Sequence, residues 1–88
     1  MIVILEGHKM INRNTIHPYL KEKLDLPEYY GNNLDALWDV LSTYDKKLEI
    51  VLQEKDILIK NLGTYGESLI DLLIQASNEN GNISFIVK

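Results

Sequence analysis

The chain has 88 residues, 45% of them hydrophobic, with 13 acidic against 9 basic side chains, a net charge of −4 and no cysteine. That length leaves room for one domain over residues 1–88, and no apolar run approaches the ~18 residues that a bilayer demands. The missing cysteine excludes disulfide staples, thiolate nucleophiles and cysteine-built zinc sites, and the acidic balance repels phosphate backbones and favours basic protein partners over direct nucleic-acid binding.

The opening Ile2-Val3-Ile4-Leu5 is a continuous aliphatic run, which predicts a first strand covered on both faces. Glu6 breaks the run, and neither a basic start nor a small-residue cleavage site accompanies it, so no export signal is read and a cytoplasmic protein is expected. Asn12 and Asn14 both offer caps ahead of Ile16, Leu20 and Leu24, whose i, i+4, i+8 spacing marks one face of a helix. With Asn14 as the cap, Pro18 falls in the first turn, where its missing N–H has no intrahelical partner to lose. Leu26-Pro27 ends this helix, and Gly31-Asn32-Asn33 forms a turn that caps a second one over about Leu34 to Thr43. Leu48 to Leu52 reads as a second strand and Asp56 to Leu62 as a short helix. Thr64-Tyr65-Gly66-Glu67 has the spacing of a capping box and opens a helix to about Asn78. Asn80-Gly81-Asn82 is a turn, and Ile83 to Val87 a third strand. Strands separated by helices, with connections long enough for crossovers, predict a small parallel α/β sheet.

The chemistry concentrates around residues 28–44. On a helical wheel Leu34, Leu37 and Leu41 fall together, while Asp35, Asp39 and Ser42 gather on nearly the opposite side and Trp38 lies at the border. Trp38 is either core alone or core and contact residue together. Asp35 has a local explanation, since a carboxylate in a first helical turn interacts favourably with the N-terminal dipole. Asp39 has none: it lies beyond that turn, has modest helix propensity and repels Asp35 one turn away. A residue that breaks local rules without local gain is a candidate for function. Just ahead, Glu28-Tyr29-Tyr30-Gly31-Asn32-Asn33 sets aromatic rings, a glycine and amides beside the acidic face, the materials from which an interface engages a cationic cleft. One tyrosine of the pair is expected to pack on the core, Tyr30 more readily than Tyr29.

The run from Leu26 to Asp39, Leu-Pro-Glu-Tyr-Tyr-Gly-Asn-Asn-Leu-Asp-Ala-Leu-Trp-Asp, is similar to the signature of the barstar family. Weaker similarity covers essentially the rest of the chain: the first strand, Leu20 and Leu24, the Glu67-Ser68 helix start and the Gly81 turn. The resemblance implies a three-stranded parallel sheet packed against three to four helices. It also implies an inhibitor, monomeric when free and needing no cofactor or metal, that covers a basic, secreted guanyl-specific ribonuclease of the barnase type before export. Carried over by position, Asp39 would occupy the site of the substrate phosphate and meet the enzyme's active-site arginines and histidine, and Asp35 would pair with a further arginine. Tyr29 would stack in the cleft, Gly31 and Asn33 would give close backbone approach and polar contacts, and Trp38 would pack at the rim. Thr43 and Tyr44 would form the loop that follows, and Gln75 would add a contact from the last helix. The chain departs from the family pattern at three of these places and at Lys46. Thr43 replaces a glycine, Tyr44 a tryptophan, and Lys46 and Gln75 replace acidic residues, which removes negative charge from the expected face. The stretch from Glu54 to Gly66 follows the pattern least and is one residue shorter, and the family's cysteines are absent.

Other function classes fare worse. For an enzyme the chain offers His8 and His17 as neutral-pH bases and no serine or cysteine motif beside them. Gly63-Thr64-Tyr65-Gly66 is not followed by the lysine and serine or threonine pair of a phosphate-binding loop, and Asp35, Asp39 and Asp45 lack the glycine and terminal glutamate of a calcium loop. The competing reading is a barstar-like module that neutralises another basic protein or toxin through the same acidic face.

Overall fold

A computed structural model describes residues 1–88, with strands β1 (Ile2–Glu6), β2 (Leu48–Gln53) and β3 (Ile83–Val87) and helices α1 (Arg13–Leu24), α2 (Leu34–Ser42), α3 (Lys55–Leu62) and α4 (Thr64–Glu79). A short 3-10 turn at Gly7–Lys9 follows β1. The strands form one parallel sheet in the order β1-β2-β3, with Val3 opposite Ile50 and Ile50 opposite Phe85. Neighbouring parallel strands need crossovers, which α1 with α2 and α3 with α4 supply. This is the α/β architecture that the pattern predicts. No helix is long and apolar enough to cross a membrane.

Strand geometry sends alternate side chains to opposite faces. On one face Val3, Leu5, Leu48, Ile50, Leu52 and Ile83 are buried, in one cluster with Ile16, Leu20 and Leu24 of α1, Leu37 and Leu41 of α2, Leu58 of α3 and Leu69, Ile70, Leu73 and Ala76 of α4. The other face is largely open: Ile2, Ile4 and Ile86 are exposed, and Val51 of the central strand is buried. The expectation that β1 is covered on both faces is therefore wrong. A continuous apolar run cannot distinguish a two-sided strand from an edge strand that leaves isoleucines in solvent.

Three helix ends also differ from expectation. Asn12, not Asn14, caps α1: its Oδ1 accepts the N–H groups of Asn14 and Thr15, while Thr15 Oγ1 accepts the N–H of Asn12. Two reciprocal bonds outweigh the single cap that Asn14 offers, and Pro18 is left in the second turn, opposite the carbonyl of exposed Asn14. The helix stops at Leu24 because Asp25 turns left-handed at φ 53°, and the Leu26 N–H bonds back to Lys21 O, before Pro27 is reached. Finally α4 is capped by Gly63 and not by Thr64, which is already helical. Gly63 holds φ 58° and ψ −132°, a combination that a side chain would forbid.

Candidate functional site

The segment between α1 and α2 is organised by its asparagines and by one tyrosine. Tyr30 is buried and its N–H bonds to Pro27 O, whereas its neighbour Tyr29 is 86% exposed. Asn33 caps α2: its Oδ1 accepts the Ala36 N–H at 2.7 Å and its Nδ2 donates to Gly31 O at 3.2 Å. A Cβ on Gly31 would come within 3.3 Å of Ala36 Cβ, so this backbone is tightly seated on the start of the helix. With the cap supplied by Asn33, Asp35 contributes no hydrogen bond to the helix start.

The apolar stripe of α2 buries Leu37 and Leu41 and seats the helix against α4. Asp35, Asp39 and Ser42 consequently face solvent. Neither aspartate has a cationic partner: the ion pairs of the chain are His8–Glu54, Lys9–Glu6 and Lys21–Glu28. Trp38 is half-buried, packed against the core on one side and open on the other, the dual placement that the helical wheel allows. Thr43 closes the helix, its Oγ1 donating to Asp39 O at 2.9 Å, and half-buried Tyr44 follows.

These residues divide between two shallow grooves on either side of α2. Tyr29, Asp39, Thr43 and Tyr44 line the first with Pro27 and Asp45. Asp35, Trp38 and Gln75 line the second with Leu34, Asp71 and Leu72, where α2 meets α4. Gly31 and Asn33 lie on the loop at the helix start, and Asn33 borders a further groove shared with Asp35, Arg13, His17 and Tyr65. Asp35, Asp39 and Asp45 do not converge, and no group of three carboxylate or histidine side chains is placed to hold a metal.

Several residues of this region escape a reading of the sequence. Asp45 shares the groove of Asp39, and Asp71 that of Asp35; Asp71 lies one turn ahead of Gln75, an i, i+4 relation that could have signalled it. Asn80 and Asn82 look like turn residues, yet Asn80 Nδ2 donates to Leu41 O and Tyr44 O, both at 2.9 Å, and Asn82 Nδ2 to Tyr44 O. They add side-chain donors to the carbonyls at and just beyond the end of α2, where Leu41 O also accepts the Tyr44 N–H, and they pin the loop carrying Thr43 and Tyr44. His17 is buried beneath the loop between the hydroxyls of Tyr30 and Tyr65, and burial pushes its pKa down. Burial also holds Tyr30 far above the usual phenol range, so its hydroxyl keeps its proton.

Matches to a known family and to a known protein agree. The family described as Barstar (barnase inhibitor) matches residues 1–88. A protein of Bacillus subtilis (strain 168) named "Putative ribonuclease inhibitor YrdF" is 38% identical over 78 residues, which covers 88% of this chain and 86% of that protein.

Proposed function

The chain belongs to the barstar family, and on that premise we propose that it is a ribonuclease inhibitor, one domain over residues 1–88 that performs no chemistry of its own. Its target is a basic, guanyl-specific ribonuclease of the barnase type, held inactive in the cytoplasm before export. The observation that carries this reading is the solvent face of α2. Asp35 and Asp39 stand there exposed and without intramolecular cations, flanked by the 86% exposed ring of Tyr29.

The physics of the face suits a cationic cleft. Unpaired carboxylates on a rigid helix draw a basic enzyme by long-range attraction, and on docking they exchange water for the enzyme's arginines. Asp39 enters the phosphate position of the active site, Asp35 pairs with an arginine beside it, and Tyr29 stacks in the cleft. Gly31 and Asn33 lie close enough to the helix start for backbone contact. Trp38 and Gln75 meet the rim on the α4 side, and Thr43 and Tyr44 meet it on the other. The replacements at Thr43, Tyr44, Lys46 and Gln75 fit an enzyme whose rim differs from that of the family's usual target.

The test is the hydrolysis of guanine-containing RNA by a barnase-type ribonuclease, titrated with this protein. Activity is expected to fall linearly to zero at one inhibitor per enzyme. Full activity at excess inhibitor, across a panel of basic guanyl-specific ribonucleases, would overturn the reading.

A further inference from the structure

His17 is 2% exposed, and its ring lies between two phenols brought from distant parts of the chain. Nδ1 is 2.6 Å from Tyr30 Oη and Nε2 is 2.5 Å from Tyr65 Oη. Tyr30 Oη is in turn 3.3 Å from the backbone oxygen of Asn33, the residue that caps α2. A carbonyl can only accept, so a hydrogen bond between Tyr30 and Asn33 O uses the Tyr30 proton. His17 Nδ1–H then donates to Tyr30 Oη, and the Nε2 lone pair accepts the proton of Tyr65. This direction uses each proton once. The reverse direction leaves the Tyr30–Asn33 contact without a hydrogen. Donors thus run from α4 through α1 to the start of α2. The Arg13 guanidinium lies 4.1 Å from the centre of the Tyr65 ring, and Arg13 and Asp35 are the charged groups that share a groove with His17 and Tyr65.

We infer that His17 and Tyr65 are positioning residues for the partner-binding loop. Acting through Tyr30, they fix the backbone from Tyr29 to Asn33 and with it the start of the helix that carries Asp35 and Asp39. The inference rests on the binding face proposed above and deepens it, because it assigns the affinity of that face in part to groups that never touch the partner. His17 and Tyr30 are both buried. A loop free to sample other conformations is competent to bind only a fraction of the time, and affinity falls by that fraction.

The test compares Tyr30→Phe, Tyr65→Phe and the double variant, each checked by thermal melting to be folded at the assay temperature. Each single change is expected to raise the Kd for a barnase-type ribonuclease about fivefold, the worth of one ordinary hydrogen bond. The double variant is expected to be no weaker than the weaker single, since one broken link already frees Asn33. Lower melting temperatures with unchanged Kd would mean a role in stability alone and would overturn the inference. Losses that multiply in the double variant would overturn it too, by showing that Tyr65 contacts the partner on its own account. In the free proteins, 15N NMR is expected to show neutral His17 protonated on Nδ1, and amide exchange at Ala36 and Leu37 to quicken in both single variants. An Nε2–H imidazole, or unchanged exchange, counts against the inference. These free-protein measurements use no ribonuclease, so a wild-type protein that inhibits nothing overturns the ribonuclease reading and leaves the relay to be judged on its own.

Discussion

Replacing Asp39 by alanine separates binding from folding, because the free protein gives the carboxylate nothing to do. Asp39 is exposed and has no ion pair within the chain. Alanine relieves its repulsion of Asp35, worth roughly 0.2–0.5 kcal/mol, and improves helix propensity by up to about 0.7 kcal/mol. The free Asp39→Ala protein should therefore melt at the wild-type temperature or a few degrees above it, at about 4–8 °C per kcal/mol for a chain of this size. The complex should behave oppositely. Docked, the carboxylate faces cations that have lost their water, and removing one partner of a buried charge pair costs roughly 3–5 kcal/mol. That corresponds to a Kd raised by about 10²–10⁴. Titration of ribonuclease activity at several enzyme concentrations reads the Kd, and a parallel melt reads the fold. A change below about tenfold would refute the reasoning by moving the binding face elsewhere. A clearly lower melting temperature would refute it differently, by showing that Asp39 serves the free fold.

Three further outcomes are expected. Association with the ribonuclease should slow steeply as salt rises from about 0.01 to 0.5 M, because screening shortens the reach of the acidic face; stopped-flow rates independent of salt would remove charge steering from the account. Burial lowers the pKa of His17 below its ordinary 6.5, so the unfolded chain takes up this proton first. The stability that neutral His17 secures is complete above pH 6.5 and declines as pH falls toward the folded-state value, by at most about 1.4 kcal/mol per pH unit. Melting curves between pH 7.5 and 5 should show this decline in the wild type and a flatter profile in His17→Gln; identical profiles would exclude His17 as the source. Gly7→Ala should cost roughly 3 kcal/mol and more than about 10 °C, because a Cβ there would sit 2.2 Å from Glu54 O and the obstructing atom is backbone. Gly81→Ala, with nothing within 4 Å, is the control that should leave the melting temperature nearly unchanged.

The parts of this fold that were legible in the sequence are those set by neighbours along the chain. The i, i+4 leucines of α2, the aliphatic strands and the Asn33 cap all follow from local periodicity and capping, and the separation of the leucine stripe from Asp35 and Asp39 follows with them. Competing local signals misled where two were available. Asn12 and Asn14 both resemble caps, and the choice turned on whether Thr15 could return a bond to Asn12. Gly63 and Thr64 both stand at the start of α4, and the φ 58°, ψ −132° backbone that glycine alone tolerates decided between them. Contacts across long sequence separations were not legible at all. Tyr65 meets His17 across 48 residues, and Asn80 reaches Leu41 across 39. Hydrophobic pattern says nothing about which polar side chain will find which carbonyl.

The same distinction bears on the charge of the proposed binding face. Read position by position against the family pattern, Lys46 and Gln75 replace acids, and the face looks depleted. In space, carboxylates act through the grooves into which they converge, and there the sum differs. Asp45 stands beside Asp39 and Tyr29, and Asp71 beside Asp35 and Trp38, so each groove flanking α2 holds two carboxylates. Gln75 lines the second of these grooves and Lys46 lines neither, so both grooves keep their carboxylates. Long-range attraction depends on the summed field over a Debye length of about 8–10 Å and not on any one position, so on the proposed reading this arrangement would preserve steering while changing which side chain meets which cation. On that reading, affinity for a given ribonuclease would depend on local fit at Thr43, Tyr44, Lys46 and Gln75, and the rate of encounter on the whole face.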